Sequence, residues 1–186
     1  PPRSTRIMSS VASVVYMRQA QSINFGFNVG NVFFIEIAKL RAAREVWANI
    51  MKAFGAEEAD RSCRIHSRPA YFYRTIFDAG VNMLRNTTAM FSAVVGGVDT
   101  YENEPYDETV RKGDEFSRRI ARNAHIILQE EFGMLRPIDP AGGSWALEHL
   151  TKEMAGKIWK EFQKIESMGG FTKALEAEYP QEQILD

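Results

Sequence analysis

One cysteine, Cys63, is too few for an intrachain disulfide, so a reducing, cytoplasmic setting is the simplest expectation. Three histidines, His66, His125 and His149, stand far apart, and with a single thiol they form no legible metal-binding cluster. No apolar run is long enough to cross a bilayer, which argues against a membrane span. Neither sign of charge dominates: 23 Lys and Arg face 24 Asp and Glu, giving a formal net charge of −1. That balance gives no electrostatic reason to expect nucleic acid or an anionic membrane as partner. Gly26-x-x-x-Gly30 lacks the Lys-Ser/Thr of a phosphate-binding loop and the spacing of a dinucleotide fingerprint. The opening Pro1-Pro2-Arg3-Ser4-Thr5-Arg6 is not followed by the apolar stretch of a secretion signal. It also lacks an initiating methionine, as expected of a piece of something longer.

What remains is a chain of ordinary single-domain length with clear periodicities. Ile7–Gln19 has the apolar spacing of a short helix. Ile23, Phe25 and Phe27 then alternate with Ser22, Asn24 and Gly26, as in a strand with one polar face. Asn31 is a candidate N-cap for the clearest helix, Val32–Phe54, which Gly55 would end. A strand at Arg64–Arg68 precedes a helix at about Val81–Val95, stopped by Gly96-Gly97. A brief strand at Val98–Tyr101 precedes a third helix, about Asp114–Glu131, with Phe116, Ile120, Ile127 and Leu128 on its expected inner side. Prolines and glycines make Arg136–Ser144 irregular. Trp145–Met168 is helical, and Phe171–Glu178 is a last helix ending before Pro180. Three strand–helix units in series predict a parallel sheet with right-handed crossovers. They are too few for an eight-fold α/β barrel of about 250 residues. The chain is therefore either a small open sheet or the last part of a barrel.

The stretch richest in chemistry is Cys63-Arg64-Ile65-His66-Ser67-Arg68-Pro69. On a strand, His66 and Arg68 share a face and Cys63 lies on the other, which argues against a Cys–His nucleophilic pair. His66 and Arg68 are either a polar site built on a strand or a strand end with a hydrogen-bonded imidazole and a solvated guanidinium. Arg118-Arg119-Ile120-Ala121-Arg122 is basic, but helical spacing spreads it over a turn, as on a solvated face.

Several runs together resemble the barrel domain of adenosylcobalamin-dependent acyl-CoA mutases, the methylmalonyl-CoA mutase large-subunit family. They are Glu36-Ile37-Ala38-Lys39-Leu40-Arg41-Ala42, Trp47-Ala48, Arg64-Ile65-His66 and Gly96-Gly97, followed by Tyr106-Asp107-Glu108 and Arg119-Ile120-Ala121-Arg122-Asn123. The series continues with Ile127-Leu128-Gln129-Glu130-Glu131, Asp139-Pro140-Ala141-Gly142-Gly143-Ser144 and Met168-Gly169-Gly170. The resemblance implies a partial (β/α)8 TIM barrel, α/β in class. Its last three units would occupy residues 1–132, with a post-barrel helical linker over 133–186.

The resemblance implies radical 1,2-rearrangement of an acyl-CoA carbon skeleton, with adenosylcobalamin supplying the radical and the protein supplying positioning and water exclusion. By position, Ser22, Ile23 and Asn24 fall where the family contacts CoA, and His66 falls on a substrate-pocket histidine, the catalytic candidate. Arg68 stands where methylmalonyl-CoA mutases have Gln, and Asp99 and Thr100 stand where they have Gln-Ser. Glu108 matches a glutamate beside the adenosyl group, and Tyr71 replaces a Gly near the corrin. Three departures imply either a substrate other than methylmalonyl-CoA or a barrel that has lost catalysis: the lost Arg at Ser22, the guanidinium at Arg68 and the bulk of Tyr71. A buried guanidinium needs an anion, so Arg68 is expected to pair with Asp99 or a substrate carboxylate.

No Asp-x-His-x-x-Gly cobalt-ligand motif is present, and the family's earlier barrel strands are absent from this sequence. The cobalt ligand is then expected from a cobalamin-binding domain or subunit, and the chain alone is expected to be inactive. The family also implies a dimer with a mutase homologue. Against this enzymatic reading stand a non-catalytic mutase-like subunit that assembles with an active homologue, and a simple α/β binding module.

Overall fold

The structure, a computed structural model, describes residues 22–134 and 136–185. The helix expected at Ile7–Gln19 lies outside the described residues. Strands β1 (Asn24–Val29), β2 (Arg64–Pro69) and β3 (Thr100–Tyr101) form one parallel sheet in the order β1-β2-β3. Helix α1 (Phe33–Ala53) connects the first pair and α2 (Asn82–Val95) the second, so both connections are crossovers. Gly26 lies level with His66, His66 with Thr100, and Asn28 with Arg68.

The alternation in sequence becomes the two faces of the sheet. Val29, Ile65, Phe25 and Phe27 pack with Leu40 and Trp47 of α1 and Ala89 and Ala93 of α2. Asn24, Gly26, Asn28, Arg64, Arg68 and Thr100 are exposed or carry no cover on the opposite face. Helix α1 starts without a side-chain cap: Val32, not Asn31, is its N-cap, and Asn31 caps nothing. It ends as expected, with Gly55 at φ +85°. Gly96 is required by proximity. A Cβ there would meet Leu40 Cδ1 at 2.8 Å, so the end of α2 could not lie so close to α1.

Helix α3 (Glu115–Ile126) runs on into a π turn, Ile127–Glu131. Asp114 caps it by accepting from the Ser117 amide. Its inner side differs from the expected one. Ser117 and Ala121 are buried, whereas Phe116 and Ile127 are exposed, because no described element covers that flank. Helix α4 (Trp145–Ser167) lies along α1 through Ile37, Ala141 and Leu147, and again through Ala42, Val46 and Ala155. Arg41 of α1 bonds Asp139 and, at 2.7 Å, Glu148, while Glu148 also accepts from the Gly143 amide at 3.2 Å. Two of the sequence runs singled out above therefore clasp each other. Helix α5 (Phe171–Glu176) is shorter than expected, and a further helix, α6 (Tyr179–Leu185), follows it. Pro180 sits in the first turn of α6, where its missing N–H leaves no intrahelical bond unmade, so it opens a helix where the sequence reading had one stop.

Candidate active site

The open face of the sheet carries a polar ladder. At its middle, His66 Nδ1 lies 2.9 Å from Thr100 Oγ1, and His66 Nε2 lies 4.0 Å from Glu102 Oε2. One step toward the C-terminal ends of the strands, Arg68 Nε donates to Asn28 Oδ1 at 3.1 Å. That leaves the terminal nitrogens of Arg68 without a partner among the described residues. His66 and Arg68 do share the face without helices, with Cys63 buried on the other. A cavity of about 560 Å³ opens beside the His66–Thr100 rung, at the end of the strands away from Arg68, lined by Asn24, Phe25, Gly26, Arg64, Ile65, His66, Asp99 and Thr100.

The remaining site candidates divide sharply. Asp99 does not pair with Arg68. Its Oδ2 accepts from the Ile65 amide at 2.8 Å and from Arg44 at 3.0 Å, and Arg44 reaches it from α1. The reason is alternation: Thr100 points to the open face, so its neighbour Asp99 turns toward the helices. Asp99 and Thr100 also lie level with Ile65 and His66, in the middle of β2 and not at its C-terminal end. Ser22, Ile23 and Asn24 are exposed at the start of β1. The four steps from Asn24 to Asn28 span about 13 Å along the strand, so these residues stand at the opposite end of the ladder from Arg68. Tyr71 is half-exposed on the loop after β2, its ring 3.9 Å from the Arg74 guanidinium. Glu108 is on the loop after β3, with Oε2 accepting from the Gly113 amide at 3.2 Å.

Sequence reasoning missed three groups. Glu102 faces His66, Asn28 orients Arg68, and a polar cluster lies beneath the two loops. In that cluster Arg74 and Glu104, both buried, meet at 2.5 Å. The phenol of Tyr73 is pushed up to about 12, chiefly by burial, and burial pushes that of Tyr101 up further. Burial likewise raises the Cys63 thiol, which keeps it protonated and unreactive. Glu102 and Asn28 could have been found by continuing the period-two pattern of β2 onto its neighbours.

Residues 13–186 match the family model described as methylmalonyl-CoA mutase. The chain belongs to the methylmalonyl-CoA mutase family. It is 42% identical over 159 residues to the methylmalonyl-CoA mutase small subunit of Porphyromonas gingivalis, covering 84% of this chain and 26% of that protein. It is 39% identical over 166 residues to the methylmalonyl-CoA mutase of Rhizobium meliloti, covering 89% of this chain and 23% of that protein. Against the methylmalonyl-CoA mutase large subunit of Propionibacterium freudenreichii subsp. shermanii the identity is 37% over 166 residues, again 89% and 23%. The chain thus spans about a quarter of the length of these mutase relatives. Among the described residues no helix is long and apolar enough to cross a membrane, and no group of three or more His, Cys, Asp or Glu side chains is placed to hold a metal.

Proposed function

We propose that this chain is the last three βα units of a (β/α)8 barrel, residues 1–132, followed by a helical linker, residues 133–186, in a cytoplasmic acyl-CoA mutase. Family membership, the parallel three-stranded sheet and the outer edges of β1 and β3, which pair with no strand among the described residues, support this reading. The observation that carries the activity is the ladder His66–Thr100 with Arg68–Asn28 on the face without helices, which in a closed barrel is the interior.

The chain's own residues bind and orient. With the Glu102 carboxylate on the Nε2 side of His66, the favoured tautomer carries its proton on Nε2 and accepts from Thr100 at Nδ1. At 4.0 Å from Glu102 Oε2, beyond hydrogen-bond reach, Nε2–H can donate to a thioester carbonyl. Arg68, turned by Asn28, offers a two-pronged donor to a carboxylate on the acyl group. Ser22, Ile23 and Asn24 would meet the CoA portion, so the ligand lies along the strands. Arg68 and Tyr71 favour an acyl-CoA other than methylmalonyl-CoA.

Tyr71 and Glu108 would meet the organic part of adenosylcobalamin, while the sequence carries no Asp-x-His-x-x-Gly run for its cobalt. Both stand on loops beyond the strand ends, Tyr71 after β2 and Glu108 after β3. The cobalt ligand then comes from another domain or chain, and the cofactor's chemistry when bound is generation of the substrate radical. Arg68→Gln in the complete enzyme tests the reading. Preference among acyl-CoA esters should move away from carboxylate-bearing ones, and unchanged preference would sink the role of Arg68.

A second reading has its own support: a non-catalytic subunit paired with an active homologue in a dimer. Two relatives named small subunit are 42% identical, against 37% for a relative named large subunit, although other small subunits stand at 39%, level with the Rhizobium meliloti mutase. Assay of the complete protein with and without a large-subunit partner separates the two. Turnover without the partner supports the first reading.

A further inference from the structure

We propose that Asn82 is a positioning residue, clamping the loop after β2 and the loop after β3 into one unit and so fixing Tyr71 relative to Glu108. The part of this inference that concerns Tyr71 and Glu108 rests on the function proposed above. The clamp itself does not.

Asn82 is the first residue of α2 and is wholly buried. Its Oδ1 accepts from the Thr75 amide at 3.1 Å, and its Nδ2 donates to the Thr75 carbonyl at 2.9 Å. One side chain therefore satisfies both backbone groups of a single residue, as a neighbouring strand would. The same Nδ2 donates to the Tyr106 carbonyl, on the other loop, at 3.1 Å. Only a carboxamide can do this. Aspartate has no donor, alanine has neither group, and glutamine is a methylene too long.

Two further contacts repeat the link between the loops, and a third ties the second loop to α2. Thr109 Oγ1 donates across to the Thr75 carbonyl at 3.1 Å. Asn86, one turn along α2, donates to the Glu104 carbonyl at 2.8 Å. Arg74 on the first loop meets Glu104 on the second, and the same guanidinium lies against the Tyr71 ring. Tyr71 and Glu108 thus project from two loops that share one buried fastening. Loosening Asn82 would take the donor from the Tyr106 carbonyl and leave the Thr75 carbonyl with Thr109 alone, so both loops lose a fastening and should open together.

The test is hydrogen exchange on Asn82→Asp and Thr109→Val in the full-length protein, with peptides covering residues 70–78 and 103–111 and a control in β1. Both loop peptides should exchange about ten-fold faster in Asn82→Asp, together, with β1 unchanged. Thr109→Val removes one link of several, keeps the fold, and should give the same paired effect on a smaller scale. Acceleration of one loop alone, or of neither, in Thr109→Val overturns the clamp. In the assembled mutase the dissociation constant for adenosylcobalamin should rise while the KM for acyl-CoA stays put. Paired loosening with an unchanged cofactor constant overturns the role toward Tyr71 and Glu108. Failure of the parent protein to bind the cofactor sinks the proposed function and that role, while the exchange data still decide the clamp.

Discussion

His66 Nδ1 and Thr100 Oγ1 face each other at 2.9 Å across β2 and β3, and this contact settles which imidazole nitrogen is left for other work. A hydroxyl at Nδ1 holds the ring plane and leaves Nε2 toward Glu102 and the open face.

The first prediction follows from that contact. Thr100→Val keeps the shape and removes the hydroxyl, so His66 loses its anchor and rotates. In the complete mutase kcat/KM should fall by about ten-fold or more, and Thr100→Ser should restore most of it. Steady-state kinetics on the three proteins checks this. Equal values for Thr100→Val and the parent would remove Thr100 from the site.

A second prediction concerns Asp99, whose carboxylate is committed to the Ile65 amide and Arg44. Asp99→Ala should cost about 1 kcal/mol of stability, chiefly because the Ile65 amide loses its acceptor, while Arg44 keeps the Cys63 and Gly97 carbonyls. It should leave acyl-ester preference alone. Urea unfolding and a substrate panel give the two readouts, and a shifted preference at full stability would give Asp99 a part in substrate recognition.

Asp99 also shows where sequence reasoning stops. The strands and helices were legible because their apolar periods are long and regular. Phe25 and Phe27 mark one face of β1, and Ile37 and Leu40 mark the buried side of α1. The two-residue strand β3 has no period to read, so the face of Asp99 depends on register with β2 and on Arg44, distant in sequence. Asn31 looked like a cap but makes no cap bond, and Pro180 looked like a stop but opens a helix. The shared face of His66 and Arg68 was legible from spacing alone. Their partners Thr100 and Asn28, on the neighbouring strands, and Glu102, just past β3, were not paired with them, since each is distant in sequence. The clamp at Asn82 was invisible, because asparagine at a helix start reads as an ordinary terminus.

The third prediction is a loss of stability in alkali. Burial raises the Tyr73 phenol to about 12 and the Tyr101 phenol further, whereas in the unfolded chain both ionise near 10. Between those values the unfolded state gives up protons that the folded state keeps. Stability is therefore fully present below about pH 10 and falls as pH rises through about 12. Tyr73→Phe and Tyr101→Phe should each move the alkaline unfolding midpoint upward, and the pair should move it further. Tyrosinate absorbance followed with circular dichroism reads both events. An unchanged midpoint in the double variant would show that other groups govern alkaline unfolding.

The last prediction concerns the buried pair Arg74–Glu104. Its charges meet at 2.5 Å without hydrogen-bond alignment, and Arg74 Nε and Nη1 have no partner among the described residues. Two charges held out of water with so few hydrogen bonds recover little of their desolvation cost. Removing one should be much worse than removing both. Arg74→Met leaves the Glu104 carboxylate buried and unpaired, and should cost about 3–5 kcal/mol. Arg74→Met with Glu104→Leu replaces the pair by apolar groups of similar volume, and should return to the parent's stability or exceed it. Urea unfolding of both variants decides the matter. If the double variant is as weak as the single one, the pair is net stabilising and the attraction across it outweighs the cost of burial. If it recovers, the pair serves to join the loops bearing Tyr71 and Glu108, and the double variant should then show faster amide exchange in both loops despite its restored stability.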